Sequence, residues 1–232
     1  MTREIILDTE TTGLSPRDGH RIVEIGAIEL INHMPSGQTF HVYLDPERDM
    51  PKEAEAVHGL SSTFLKGKPR FASIAQDFLT FVGDAVLVIH NASFDMGFIN
   101  WELRNVNLNP IDMSQVIDTL AIAKQKFPMA SNSLDALCRR FGIDLARRTK
   151  HGALLDSELL ADVYLELIGG RQTALGLATP DTKKKPRVTS SLNLIATRPQ
   201  PLPSRLTVEE RAAHAALIHE LGEKSLWPRS EA

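Results

Sequence analysis

Two short runs of apolar residues constrain the fold most, because each of them leads into acidic side chains. Residues 5–7 read Ile-Ile-Leu, and residues 86–89 read Val-Leu-Val-Ile. Apolar runs of this length are typical of buried strands. The first run is followed by Asp8 and Glu10, which project from one face of a strand because they lie two residues apart. The second run is followed by Asp95, at the predicted start of a helix.

A fourth acid, Asp156, falls in the first turn of a helix with apolar periodicity, five residues after His151. Taken singly, each of these residues has a structural explanation as a solvated strand end, a helix cap or a loop histidine. Their occurrence in order, each at a predicted strand or helix end, favours a chemical role. A cluster of four carboxylates is costly unless cations neutralise it, and oxygen ligands favour Mg²⁺ or Mn²⁺.

The order of the predicted elements indicates an α/β fold with a mixed sheet. Strands are predicted at 3–8, 21–31, 38–44, 85–89 and 115–118, with Met34–Gly37 as a hairpin-type loop. Helices are predicted at 71–82, 93–105, 119–126, 132–141 and 152–168. Three meander strands followed by strands that alternate with helices imply a mixed five-stranded sheet flanked by helices.

The composition changes after Gly169-Gly170, and this change predicts three parts: a domain at 1–170, a linker at 171–205 and a tail at 206–232. Residues 178–205 hold five of the chain's 13 prolines, which is typical of a flexible or extended linker. The tail contains a predicted helix at 207–221, capped by Thr207 with Glu210 three residues on, and then Trp227. Such a segment cannot form a core alone. We therefore expect it to dock on a partner, with folding back on its own domain as the alternative.

Charge and cysteine content limit the class of protein. The net charge of −3 argues against non-specific nucleic-acid binding through a broad basic surface. The single cysteine, Cys138, excludes an internal disulfide and fits a reducing cytoplasm, where we expect the protein to act. Its helical apolar pattern predicts a core position. No apolar run approaches the length needed to cross a membrane, so no membrane partner is expected.

Basic residues cluster before and beside His151. They are Arg139, Arg140, Arg147, Arg148 and Lys150. Two interpretations remain open at this point: a track for phosphate groups, or an ordinary solvated basic face.

Six short stretches resemble the DEDDh exonuclease superfamily, named for four acids and a histidine. They resemble most closely its epsilon-subunit family from bacterial DNA polymerase III. The stretches are Leu7–Gly13, Ile22–Ala27, Val57–Gly59, Val88–Ala92, Asn132–Cys138 and Thr149–Asp156. The resemblance is strong over residues 4–170 and weaker beyond. It implies a ribonuclease-H-like fold and a 3′→5′ exonuclease that proofreads DNA by a two-metal mechanism.

The resemblance also implies roles for the acids and the histidine. Asp8 would bridge two divalent ions, Mg²⁺ or Mn²⁺. Glu10 and Asp156 would complete the site on the side of the attacking water, and Asp95 would hold the second ion. His151 would be the general base, since an unperturbed imidazole pKa of about 6.5 suits proton removal near neutral pH.

Substrate and partner contacts follow from the same resemblance. The terminal nucleotide of a DNA 3′ end would contact the acids Asp8, Glu10 and Asp156 and the histidine His151, and a pocket would be lined by Thr11, Leu14, Val57, His58 and Phe94. The tail would bind the catalytic alpha subunit of the polymerase. Residues 172–177 resemble a short sliding-clamp-binding peptide through Gln172, Leu175 and Leu177.

Two other functions stay open. The first is a stand-alone RNA-trimming enzyme of the oligoribonuclease or ribonuclease T type, and the second is a non-catalytic adaptor on the same fold. The linker and tail favour a polymerase subunit over the first, because a stand-alone trimming enzyme has no need of them. The intact set of four acids and one histidine argues against the second.

Overall fold

A mixed five-stranded sheet organises the first of the two units into which the chain divides, residues 1–178 and 179–232. The computed structural model describes residues 2–146, 148, 150–169 and 207–222. The strands are β1 (Arg3–Thr11), β2 (Ile22–Ile31), β3 (Met34–Tyr43), β4 (Val86–Ile89) and β5 (Val116–Asp118). Their order is β3-β2-β1-β4-β5, with β1–β2 and β2–β3 antiparallel and β1–β4 and β4–β5 parallel. The predicted α/β class and mixed sheet are confirmed.

Seven helices are described in the first unit. They are α1 (Lys52–His58), α2 (Ser62–Leu65), α3 (Phe71–Val82), α4 (Ala92–Asn105), α5 (Thr119–Lys126), α6 (Leu134–Phe141) and α7 (Ala153–Ile168). The five predicted helices of this region are α3 to α7, with starts that differ from the prediction by at most two residues. Helices α1 and α2 were not predicted, because helices of seven and four residues are too short to show apolar periodicity.

The turn between β2 and β3 lies earlier than the sequence predicted. Met34–Gly37, expected to be a hairpin-type loop, forms the start of β3 and pairs with β2 through Ile31↔Met34 and Leu30↔Pro35. The turn is the two-residue loop of Asn32 and His33, both with positive φ (50° and 65°). Two-residue loops of this kind match the twist of the strands. Pro35 is tolerated because β3 is an edge strand.

Helices cover both faces of the sheet, so its central strands are buried on both sides. Ile5 and Leu7 of β1 pack in a core cluster with α3 and α4, whereas Ile6 packs in a second cluster with α6 and α7. Cys138 belongs to the second cluster, as predicted. Asp8 and Glu10 continue the Ile6 side of β1, because strand side chains alternate between faces. The two carboxylates therefore point toward the layer that contains α7.

The first turn of α7 lies directly on β2 at Gly26, the residue paired with Asp8. A Cβ atom at Gly26 would lie 2.2 Å from the backbone of Ala153 and of Leu154. Ser157 Oγ also donates to the Gly26 carbonyl oxygen at 2.9 Å. Only a glycine allows this approach, which brings the acidic first turn of α7 close to β1.

The second unit is described only at 207–222. Helix α8 (Val208–Leu221) begins with a capping box formed by Thr207 and Glu210, as the sequence predicted, and none of its described residues is buried. The linker, Trp227 and the clamp-like residues Gln172, Leu175 and Leu177 lie outside the described residues. Within the part of the chain that the structure describes, no helix combines the length and apolar character needed to cross a membrane.

Replacement of Gly26 by alanine is predicted to destabilise the protein by at least about 1–3 kcal/mol, the usual cost of overpacking. The added methyl group meets backbone atoms of α7, which cannot rotate away. Urea unfolding measures the change. Gly97→Ala is the matched control, because Gly97 is an exposed residue of α4 with no atom near its Cβ position. This control should be neutral or stabilising by up to about 1 kcal/mol. Equal stability of the two variants would contradict the proposed contact.

Candidate active site

Four carboxylates from three elements converge where β1 extends beyond its parallel partner. The pairing of β1 with β4 ends at Ile6↔Val88, yet β1 continues to Thr11, which leaves a crevice at the ends of these strands. Asp8 and Glu10 lie on this extension. Asp95 enters from α4 and Asp156 from α7. The charges of Asp95, Glu10 and Asp156 all raise the pKa of Asp8, so the structure brings the four predicted acids together.

The turn from β4 into α4 sets the position of Asp95. Asn91, in the left-handed region (φ 66°), precedes α4, and its backbone N–H donates to Asp118 Oδ1 at 3.1 Å. One turn later, Asp95 Oδ1 accepts from the Thr9 backbone N–H at 3.1 Å and from Thr9 Oγ1 at 2.6 Å. Asp95 is thus fastened to β1 between Asp8 and Glu10. It is a buried acid of the cluster and not a helix cap.

His151 lies in the loop immediately before α7, as the sequence predicted. Its Nδ1 is 3.3 Å from Asp156 Oδ2, and its backbone N–H donates to the Val57 carbonyl oxygen at 3.4 Å. Each of Glu10, His151 and Asp156 offers a ligand atom within 4.8 Å of the others. The ring itself is exposed, whereas Asp156 is buried. The predicted base therefore reaches the acid cluster from the solvent side.

Burial raises the pKa values of three of the acids, and repulsion within the cluster adds to the shift for Asp8 and Glu10. Burial raises the pKa of Glu10 to about 8, helped by the charges of Asp156 and Glu24. Burial raises the pKa of Asp95 to about 7, although hydrogen bonds from Thr9 oppose the shift. The pKa of Asp8 lies well above its usual range because of burial and of the charges of Asp95, Glu10 and Asp156. The site therefore favours protons, or bound cations, over four free charges.

A fifth acid, Glu24, lies beside the cluster and received no role in the sequence analysis. It is paired with Glu10 across β1 and β2, is 3% exposed, and lies 2.7 Å from His41 Nε2 through its Oε1. Its charge contributes to the raised pKa of both Asp8 and Glu10. The strand register reveals this position, because Glu24 is fourteen residues from Glu10 along the chain but pairs with it across the sheet.

Among the predicted basic cluster, Arg148 turns inward instead of facing solvent. Its side chain is 8% exposed and forms a two-pronged ion pair with Asp156, with Nε–Oδ1 2.5 Å and Nη2–Oδ2 2.7 Å. It also pairs with Asp135 and donates to His151 Nδ1 at 2.7 Å. The interpretation as a solvated basic face is therefore wrong for Arg148.

The other basic residues of that cluster have different surroundings. Arg139 is exposed and pairs with Asp135 at 3.7 Å. Arg140 stacks over the Phe127 ring, with its guanidinium 4.3 Å from the ring centre. Lys150 is exposed and its side chain lies against Gly59. Arg147 lies outside the described residues. A phosphate track made of these residues stays a prediction.

A cleft of about 570 Å³ opens beside Glu10. All five residues predicted for the nucleotide pocket line it: Thr11, Leu14, Val57, His58 and Phe94. Eight further residues line the cleft that were not predicted: Thr9, Thr12, Gly13, Asp18, His20, Pro51, Glu53 and Ala54. Two of these, Glu53 and Ala54, come from the short helix α1, which was not predicted. Leu14 is 86% exposed and Val57 50% exposed, so two apolar side chains stand at the cleft without a protein partner covering them.

His58 lines the cleft, and its ring carries a buried hydrogen-bond donor. Its Nδ1 accepts from the Leu60 backbone N–H at 3.0 Å, so the ring proton resides on Nε2 when the imidazole is neutral. Nε2 is buried close to Thr11 but makes no hydrogen bond of good geometry with the described residues. Burial lowers the pKa of His58, which favours this neutral form. Because this N–H is buried, the backbone of Thr11 is the acceptor beside it, and the donor is not exposed in the cleft.

Comparisons with known proteins agree with this geometry. The family model described as Exonuclease matches residues 5–164. DNA polymerase III subunit epsilon of Rickettsia felis is 52% identical, over 82% of this chain and 85% of its own length. The subunit of the same name from Escherichia coli K12 is 42% identical over 98% of each chain.

A solved structure supports the fold independently. The nuclease domain of 3′hExo, a DEDDh family member bound to rAMP, matches with a TM-score of 0.62 at 19% identity. The match covers 72% of this chain and 91% of that one. At this identity the likeness concerns the fold, and it confirms the predicted ribonuclease-H-like architecture.

The raised pKa values predict how stability depends on pH when no divalent ion is bound. Between about pH 4.5 and 8 the folded state holds protons on Glu10 and its neighbours that the unfolded state has lost, so the free energy of unfolding falls as pH rises. Differential scanning fluorimetry with EDTA should show a lower Tm at about pH 8.5 than at about pH 6.

Glu10→Gln should reduce the fall in Tm with rising pH, because the glutamine side chain stays neutral over the whole pH range. At the higher pH its Tm should exceed that of the wild type. Asp84→Asn, a change at an exposed acid remote from the cluster, should follow the wild type. A pH profile of Glu10→Gln that matches the wild type would contradict the raised pKa of Glu10.

Proposed function

The chain belongs to the exonuclease family and, within it, to the epsilon subunits of DNA polymerase III, and from this premise we propose that it proofreads DNA during replication. Membership makes it a 3′→5′ exonuclease. The proposal adds that the substrate is the 3′ end of DNA, that the enzyme acts as a subunit of the cytoplasmic replicase, and that two metal ions take part. The observation that carries it is the convergence of four acids and His151 beside a nucleotide-sized cleft.

The donor atoms of the site fit divalent ions, which the fold of this family implies. Asp8, Glu10, Asp95 and Asp156 supply carboxylate oxygens, the ligands preferred by Mg²⁺ and Mn²⁺. The raised pKa values of Asp8, Glu10 and Asp95 reflect a crowded anionic site that cations would relieve. We assign these four acids as the ligands of two such ions, which when bound activate water and stabilise charge on the phosphodiester.

His151 removes the proton from the attacking water in this proposal. It sits at the solvent side of the cluster, within 3.3 Å of Asp156, and is therefore placed between bulk water and the acids. The loop before α7 carries the ring, so small loop movements can adjust it to the substrate.

The cleft receives the terminal nucleotide. Leu14 and Val57 offer exposed apolar surface to the base and sugar. Readout of a particular base edge is not expected, since a proofreading enzyme must remove any terminal base. Selection of mispairs then arises from fraying, because an unpaired 3′ end reaches the cleft at a lower cost of unpairing.

A role as a polymerase subunit is favoured over a stand-alone RNA-trimming enzyme. The likeness to the Escherichia coli subunit extends over nearly the whole chain, including residues beyond 170. Helix α8 has a complete capping box but no buried residue of its own, so it is suited to docking on a partner. We propose that 206–232 binds the alpha subunit and that 171–205 is a tether. The clamp contact through Gln172, Leu175 and Leu177 remains part of this proposal.

Loss of Asp8 is predicted to abolish hydrolysis, because a metal ligand at the centre of the cluster is removed. His151→Ala should lower the rate by about 10²–10⁴-fold, the usual share of general-base catalysis. The assay follows release of the terminal nucleotide from 5′-labelled DNA with a mispaired 3′ end, in Mg²⁺ or Mn²⁺. His219→Ala, in exposed helix α8, serves as control and should hydrolyse at the wild-type rate. Full activity of Asp8→Ala would rule out the assignment.

Deletion of 178–232 is predicted to leave hydrolysis of free single-stranded DNA nearly unchanged, since every assigned ligand and the base precede it. The same deletion should weaken binding to the polymerase catalytic subunit and reduce proofreading during synthesis, because the tether raises the local concentration of nuclease at the primer end. A pull-down with the catalytic subunit, run beside the nuclease assay, measures both effects. Equal retention of truncated and full-length protein would place the partner surface on the exonuclease domain.

A further inference from the structure

Arg148 occupies the position in the acid cluster where a cation is needed. Both carboxylate oxygens of Asp156 accept from its guanidinium, at 2.5 and 2.7 Å, and the arginine side chain is 8% exposed. Asp156 is itself 3% exposed. A buried charge is costly without a partner, so the two residues stabilise each other in the absence of a metal ion.

The arginine is also positioned by a third acid. Its Nη1 pairs with Asp135 of α6, which is partly exposed and lies apart from the four proposed ligands. If Arg148 leaves Asp156, Asp135 can still hold the guanidinium near the site. The contact with Asp135 therefore allows Arg148 to change partners without a long movement into solvent.

The same guanidinium contacts the predicted base. Nη2 of Arg148 is 2.7 Å from His151 Nδ1, and arginine can only donate. The Nδ1 lone pair is consequently occupied while Arg148 holds Asp156. One side chain thus links the state of the Asp156 carboxylate to the freedom of the His151 ring.

A divalent ion on Asp156 would meet the positive charge of Arg148 at the same carboxylate. Two cations that share one buried carboxylate repel each other strongly, because the surroundings screen charge poorly. Arg148 must therefore weaken metal binding at this acid, or move away when the metal binds.

We propose, as an extension of the function proposed above, that Arg148 is a built-in counter-ion of the metal-free site, which competes with the divalent ion for Asp156 and holds His151 until the ion displaces it. Arg148 is a positioning residue in this account. Arg148 stabilises the buried Asp156 carboxylate when no metal ion is bound. When the ion displaces Arg148, the hydrogen bond to His151 is released as well.

Arg148→Gln tests the proposal, because glutamine keeps polarity and much of the length while removing the charge. Binding of Mn²⁺ is measured by isothermal titration calorimetry without DNA, and Tm is measured with EDTA and with saturating Mn²⁺. The variant should bind Mn²⁺ at least about tenfold more tightly, the equivalent of one charge-assisted hydrogen bond. Its Tm should fall below that of the wild type in EDTA and return close to it in Mn²⁺.

Arg139→Gln is the matched control, since Arg139 also pairs with Asp135 but is exposed and does not contact Asp156. It should leave the Mn²⁺ affinity unchanged. Unchanged or weaker Mn²⁺ binding by Arg148→Gln would overturn the proposal, because Arg148 would then be a bystander or a support for the ligand. Should Arg148→Gln fail to fold even in Mn²⁺, Arg148→Lys decides. Lysine keeps the charge without the two-pronged pair, so binding tighter than wild type supports competition, and equal or weaker binding overturns it.

The titration is independent of the proposed reaction. An inactive wild-type enzyme would refute the exonuclease role on DNA without changing the measured competition. Conversely, if the enzyme is active but Arg148→Gln binds Mn²⁺ with the wild-type affinity, only the counter-ion role is refuted.

Discussion

The burial of several carboxylates beside one another at the end of β1 is the constraint on which the other features of this site depend. Asp8, Glu10 and Asp95 each keep a raised pKa, and burial is the largest cause in every case. The fold thus holds groups together that would separate in water. Such an arrangement is stable only where packing in the rest of the fold holds the acids in place. Bound cations would offset the free-energy cost of keeping the carboxylates together.

Packing supplies that support from three sides. Gly26 lets α7 approach the sheet closely enough to present Asp156, and Ser157 fastens the same turn to the Gly26 carbonyl. Thr9 holds Asp95 through two hydrogen bonds. Buried Glu102 anchors α4 to the start of β2 through a two-pronged pair with Arg21, at 2.5 and 3.0 Å. Each contact joins elements distant in sequence, so the site forms only with the whole sheet.

The sequence predicted what depends on local pattern. Apolar runs predicted the strands and periodicity predicted α3 to α7. Motif order indicated the four acids and His151, which the structure brings close together. The sequence did not show what depends on pairing across the chain. Glu24 enters the site through strand register, Arg148 turns inward because Asp135 and Asp156 both attract it, and the Asn32-His33 turn was obscured by the Pro35-Ser36-Gly37 stretch. Helix α1 was too short for a periodic signal, yet it contributes several residues to the cleft.

Proton release on metal binding tests the central claim most directly. At about pH 7, Glu10 with a pKa of about 8 and its neighbours hold protons that a divalent ion must displace. Calorimetric titration of Mn²⁺ into the metal-free protein, repeated in buffers of different ionisation enthalpy, counts those protons. The account predicts saturable binding with about one or more protons released per chain, and a smaller release for Glu10→Gln. Saturable binding without proton release, or no saturable binding, would contradict a buried carboxylate cluster built for divalent ions.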